Sequence, residues 1–228
     1  MMFEESKCAT DKKLANFSKY VRRQTIARFL VQNELFRLQL QVKGSIVECG
    51  VHHGGGVMTW AKLSSTLEPY NYHRQIIGFD TFEGFPSVTP IDVRDRPEVK
   101  EGMFAEAYDT HDELLACVKE YDENRFLNHV PKVQLVRGDA NLTIPDYVSK
   151  NPHLLISMLY LDFDVYEPTV TALKTLLPRM PKGAVLAFDE VNNPHWAGET
   201  MALLEELDIR QTQLRCFEYE PNISYLIL

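Results

Sequence analysis

The sequence predicts an α/β protein: a mostly parallel sheet covered by helices on both faces. Three observations predict it. Short, continuously apolar runs alternate with longer amphipathic stretches, the pattern of buried parallel strands joined by crossover helices. The first five runs are each followed within two residues by a glycine or an acid, as strand ends that face a ligand are in open sheets. The 228 residues, 45% apolar and 25% charged, suffice for one large α/β domain with a substantial core.

Residues 11–42 carry Leu14, Phe17, Val21, Ile26, Phe29, Leu30, Leu35 and Leu38 at helix-like spacing. The reading is an N-terminal helical layer over 1–43, broken once near Thr25, ahead of a Rossmann-like core over 44–228. Arg22, Arg23 and Arg28 read as a solvated face of that layer. Strands are expected at 45–49 (SIVEC), 75–79 (QIIGF), 133–136, 154–161 (LLISMLYL) and 184–188 (AVLAF). Helices are expected at 58–67, 111–127, 142–149, 169–177 and 198–207; the fourth stops at Pro178. Two closing strands, 213–217 and 223–228, flank a turn at Pro221-Asn222. Residues 83–106 are rich in Pro, Gly and charge without a period. They read as a long loop, and 83–110 as a lid.

The net charge of -8 is the wrong sign for phosphate-backbone binding, so nucleic acid is not an expected partner. Four isolated cysteines (Cys8, Cys49, Cys117, Cys216) have no zinc-type spacing and read as reduced thiols of a cytoplasmic protein. Residues 1–13 are polar and mixed in charge, unlike a secretory leader, and no apolar run approaches a membrane span.

The chemistry-bearing residues cluster at the strand ends. After the first strand comes Glu48-Cys49-Gly50-Val51-His52-His53-Gly54-Gly55-Gly56, where glycines permit a tight turn and close ligand approach. The dinucleotide spacing G-x-G-x-x-G is absent, which disfavours a pyrophosphate ligand. Asp80 ends the second strand, where a carboxylate can accept both hydroxyls of a ribose. Asp139, after the third, can accept from an adenine amino group while Ala140 packs on the ring; both acids also suit helix N-caps. Asp162 and Asp164 follow the fourth strand and Asp189-Glu190 the fifth. Four carboxylates this close need a cation, and oxygen-only donors suit Mg²⁺. His52, His53 and His195 lie on loops at the same end as candidate bases.

The strings Val47–Val51, Asp80–Pro86 and Leu161–Thr169, followed by Asp189-Glu190, resemble in order the macrocin-type O-methyltransferases, which methylate sugar hydroxyls. The resemblance spans about residues 43–207. It implies the seven-stranded class I methyltransferase sheet with an antiparallel last strand, and S-adenosylmethionine and Mg²⁺ as cofactors. It assigns Glu48, Gly50, Val51, His52, Gly54 and Gly55 to the methionine end of the cofactor. Asp80, with Thr81 and Phe82, takes the ribose, and Gly138, Asp139 and Ala140 take the adenine. Asp162 also borders the cofactor. The metal falls to Asp162, Asp189 and Glu190. Asp162, rather than Asp164, stands 27 positions before Asp189 (189 − 162), close to the family's metal-acid spacing. The family often has a second Asp where this chain has Glu190. Asp162 or Asp164 takes the substrate proton. The implied acceptor is a sugar or glycoside, with Phe85, Phe104 and Tyr108 as stacking surfaces. A same-fold methyltransferase with a catechol-like or peptide acceptor, and a non-enzymatic nucleotide-binding domain, are the competing readings. The apolar N-terminal helices could also join two copies of the chain.

Overall fold

Strand β1 (Ser45–Cys49) is buried along its whole length and lies at the centre of the sheet. Its parallel neighbours are β2 (Ile76–Asp80) and β4 (Ile156–Leu161), both apolar runs suited to burial on two faces. Beyond β2 lies β3 (Val133–Arg137), and beyond β4 lies β5 (Val185–Phe188). Strand β7 (Glu220–Ile227) runs antiparallel to β5, and β6 (Arg215–Phe217) pairs antiparallel with β7 at the edge. The order β3-β2-β1-β4-β5-β7-β6 has one reversed strand, the class I methyltransferase arrangement. Its switch point lies between β1 and β4, where an open sheet leaves a crevice at the carboxyl ends. This computed structural model describes residues 2–94 and 96–228; Met1 and Asp95 lie outside it, the latter within the expected lid.

Helices cover both faces. On one, α3 (Arg23–Gln39), α4 (Gly55–Leu67) and α6 (Thr110–Glu123) bury Leu35, Phe36, Trp60 and Tyr121 against Ile46, Tyr160 and Val185 of the strands. On the other, α7 (Ala140–Lys150), α8 (Tyr166–Leu176) and α9 (Ala197–Glu206) bury Ile144, Leu173 and Leu203 against Val47, Leu159 and Leu186. Leu35 is fully buried, so its truncation to Ala costs about 2–5 kcal/mol. The third helix of the chain is therefore part of the core.

Three expectations need correction. The N-terminal layer breaks earlier than Thr25: α1 (Met2–Glu5), α2 (Thr10–Ala15) and a 3₁₀ turn at Phe17–Lys19 precede α3, whose extended N-cap residue is Arg22. The segment 83–106 is not structureless. It contains α5 (Pro90–Val93), closed by a capping box in which Asp92 accepts from the Thr89 backbone and hydroxyl, both at 2.7 Å. The other Asp92 oxygen accepts the Tyr166 N–H at 2.8 Å, so this turn is tied to the start of α8. The β6–β7 turn falls at Glu218-Tyr219, and Pro221-Asn222 lies inside β7. Pro221 donates no ladder bond, but the extended strand tolerates it near its start.

Candidate active site

The glycine turn after β1 is shaped by the strand beside it. Gly50 sits at φ +87°, and any Cβ there would run into the Asp162 carbonyl oxygen. Glycine thus lets the ends of β1 and β4 touch. Asp80 holds the turn in place. One of its oxygens accepts the backbone N–H of Val51 (2.6 Å) and His52 (2.8 Å), and the other that of Phe82 (2.7 Å). The Thr81 hydroxyl also faces the second oxygen, at 3.5 Å.

A cavity opens beneath this turn. Of the residues expected at the cofactor or the chemistry, Gly50, His52, Asp80, Thr81, Phe82, Gly138, Ala140, Asp162 and Asp164 line it. Phe85, Met103 and Phe104 of the 83–110 segment cover it. Phe104 lies 5.3 Å from Phe85 and 5.9 Å from Trp196 between ring centroids, and the Arg96 guanidinium lies 4.3 Å from the Trp196 ring. The segment is thereby held to the turn after β5, and sequence reasoning did not identify Trp196 or Arg96.

Other expected residues stand behind the lining. Asp139 caps α7 by accepting the Asn141 N–H at 2.9 Å. Val51 is buried, Gly54 precedes α4, and Gly55 lines a separate outer groove. Glu48 is turned under α4, accepts the Trp60 indole N–H and lies directly beneath Gly56. Burial pushes its carboxyl up to about 8, against the opposing pull of Trp60 and Arg28.

The acids after β4 and β5 do come together, around a partner the sequence reading had placed in solvent. Arg28 of α3 donates to Asp162 at 2.8 Å and to Asp189 at 2.9 Å. Tyr160 donates to Asp189 Oδ1 at 2.5 Å. Arg22 and Arg23 remain exposed, as expected. Arg28 differs from them because it shares a helix face with Val31 and Leu35, three and seven positions on, both fully buried. A charge on that face needs a partner, and this was the readable signal.

Glu199 was also missed. It is fully buried and accepts the N–H of Glu190 at 2.9 Å and of Asp164 at 3.4 Å. Two carboxyls, Asp162 and Asp189, pair with the guanidinium, and Asp164, Glu190 and Glu199 lie beside them without an ion pair to it. Burial works against the charge on Arg28, but Tyr160, Asp189 and Asp162 outweigh it and hold it charged. Burial, then Asp189, pushes Asp162 well above the carboxylate range, with Arg28 opposing. Burial, with Glu190 and Asp189, raises Asp164 to about 7; its backbone is left-handed, at φ +61°. Burial also raises Glu190 and Glu199. Burial is the first cause of these raised carboxyls, and mutual repulsion that one guanidinium does not balance adds to it.

Asp162 faces the cavity, whereas Arg28, Asp189 and Glu190 line the outer groove between α3 and the start of β7. The bridged acid pair is the wall between the two spaces. The Glu190 carboxylate is turned onto the Asn193 amide, and its ligand atoms do not converge with those of Asp162 and Asp189. The histidines lie elsewhere: His52 and His53 meet Glu106, and the exposed His195 accepts Arg96 on its carbonyl at 2.7 Å.

Comparison with known proteins fits this geometry. The profile of the macrocin O-methyltransferase (TylF) family matches residues 28–205, from the bridging arginine to the end of α9. A structure of CalS11, a calicheamicin methyltransferase, superposes with a TM-score of 0.95 at 36% identity, covering 99% of this chain and 88% of that one. An apo structure of CalS11, described as a TDP-rhamnose 3'-O-methyltransferase, gives 0.86 at 32% identity over 99% and 89%. The O-methyltransferase NovP shares the fold, with a TM-score of 0.65 at 18% identity over 88% and 78%. No curated protein matches in sequence. The chain belongs to the macrocin O-methyltransferase (TylF) family and is an O-methyltransferase.

Proposed function

We propose that the chain transfers the methyl group of S-adenosylmethionine to a hydroxyl of a sugar, carried on a nucleotide or a glycoside. The observation that carries this reading is the acid wall. Asp162 faces the cavity suited to the donor, and its bridged partners Arg28 and Asp189 face a groove open to an acceptor. CalS11, which acts on TDP-rhamnose, supports the sugar class. Asp80 would take the ribose, with Gly138 and Ala140 against the adenine and Gly50 and His52 toward the methionine end. The sulfonium is already reactive, so the protein mainly aligns donor and acceptor and removes a proton. Asp164 lines the cavity and suits proton acceptance near neutral pH; Asp162 is the alternative acceptor, closer to the wall.

The donor set of Asp162, Asp189 and Glu190 is all oxygen and fits Mg²⁺, as does the surplus of carboxyls. Occupancy requires Arg28 to move aside and Glu190 to leave Asn193. The chemistry such an ion supplies is a lowered pKa for a bound hydroxyl. Free cysteines suit a reducing, cytoplasmic setting. No helix among the described residues is long and apolar enough to cross a membrane. Exposed Leu14, Phe29 and Leu30 favour self-association through the N-terminal helices.

Calorimetry with S-adenosylhomocysteine tests the donor half. Binding is expected, and no heat at millimolar ligand would contradict it.

A further inference from the structure

Away from the acid wall, a second set of metal-binding side chains converges. His52 and His53 are adjacent in the glycine turn, where consecutive side chains would ordinarily diverge. His52 adopts a left-handed backbone, φ +49°, and the two rings come to 4.0 Å between centroids. Such a conformation is costly for a non-glycine residue and concentrates at functional sites. Both rings address one carboxylate: Nε2 of His53 lies 3.2 Å from Glu106 Oε1, and Nε2 of His52 lies 3.8 Å from the same atom. One ligand atom from each residue lies within 4.8 Å of the others.

The surroundings suit coordination. The Tyr108 hydroxyl is 3.3 Å from Nδ1 of His53, fixing the ring with Nε2 toward Glu106, as partners of metal-bound imidazoles do. Burial and the neighbouring His53 lower the pKa of His52, which favours the neutral ring a ligand must present. Two imidazoles and a carboxylate select a zinc-class cation over Mg²⁺. Tetrahedral bonds of about 2.0–2.1 Å put ligand atoms roughly 3.3 Å apart; the His53–Glu106 pair already has that spacing, at 3.2 Å, and His52 at 3.8 Å needs a small inward shift.

We propose that His52, His53 and Glu106 form a binding site for Zn²⁺ or a similar transition-metal ion, which clasps the 83–110 segment to the glycine turn and slows exchange of the cavity's ligand. His52 and Glu106 line the cavity, one from the turn and one from the covering segment. An ion joining them must lose a ligand before the segment can lift. The exchange effect rests on the cavity being the donor site; the metal site does not.

The test uses the full chain with zinc alone in calorimetry and cobalt alone in visible absorption. One equivalent of metal and a tetrahedral cobalt band are expected. His53→Ala and Glu106→Gln should each weaken binding about tenfold or more. His111→Ala, in the separate Asp109–His111–Asp112 group, and Asp189→Asn should leave it unchanged. No zinc binding, or undiminished binding in the His53→Ala/Glu106→Gln double variant, overturns the site. Zinc should also slow release of S-adenosylhomocysteine by wild type but not by Glu106→Gln; equal release rates overturn the clasp. Failure of S-adenosylhomocysteine to bind would count against the donor reading and leave the zinc titration intact.

Discussion

At the scale of single residues, Arg28 and the acids it bridges carry the account. Asp162→Asn and Asp189→Asn should each lower turnover on the order of 10²-fold or more while leaving S-adenosylhomocysteine affinity nearly unchanged. Rate assays paired with calorimetry check this, and an equal loss of both would assign the acids to donor binding. Chelator-treated enzyme should lose turnover and regain it with Mg²⁺; full activity after chelation would remove the metal from the proposal. Glu48 gives a pH prediction. Its carboxyl ionises near 4.5 ordinarily and near 8 when folded. Between those values the folded chain holds the extra proton. Its contribution to stability is therefore complete below about 4.5 and is lost as pH rises through about 8. That interval amounts to roughly 4–5 kcal/mol as an upper bound. Urea midpoints should fall from pH 6 to pH 8.5 in wild type and fall less in Glu48→Gln; parallel declines would contradict the buried-acid assignment. Glu48 also marks a limit of sequence reading. Its place before the glycine turn suggested a ligand contact, but its orientation under α4 depends on Trp60, twelve residues away.

At the scale of elements, apolar runs proved the most readable feature. Five strands lie where the apolar runs predicted them; β1, β2, β4 and β5 are buried along nearly their whole length, whereas β3 is largely half-exposed. The segment over the cavity was less readable. Its order comes from contacts distant in sequence: Asp92 to Tyr166, and Phe104 and Arg96 to Trp196. Each aromatic or cation–π contact is worth about 0.5–1.5 kcal/mol. Trp196→Ala should therefore speed amide hydrogen exchange over 96–104 by about tenfold, with little change in β1 or β4. Unchanged exchange would mean that the segment is held by other contacts.

At the scale of the whole molecule, the switch point between β1 and β4 places the cavity and the outer groove on either side of one acid wall. The location of the crevice was legible, since it follows from strand order and from acids at strand ends. The division into two spaces was not, because it depends on a guanidinium from α3 reaching acids more than a hundred residues away. The exposed apolar side chains of the N-terminal helices bear on assembly. Light scattering should find more than one chain per particle, and Leu30→Glu should shift the population toward the monomer. A monomeric wild type would set that idea aside. The most direct test of the central claim is transfer of labelled methyl from S-adenosylmethionine across a panel of nucleotide-sugars and glycosides, TDP-rhamnose among them, with product analysis by mass spectrometry. The account predicts label on a sugar hydroxyl in wild type and its near-complete loss in Asp162→Asn. Transfer only to catechols or peptides, or undiminished transfer by the variant, would contradict it.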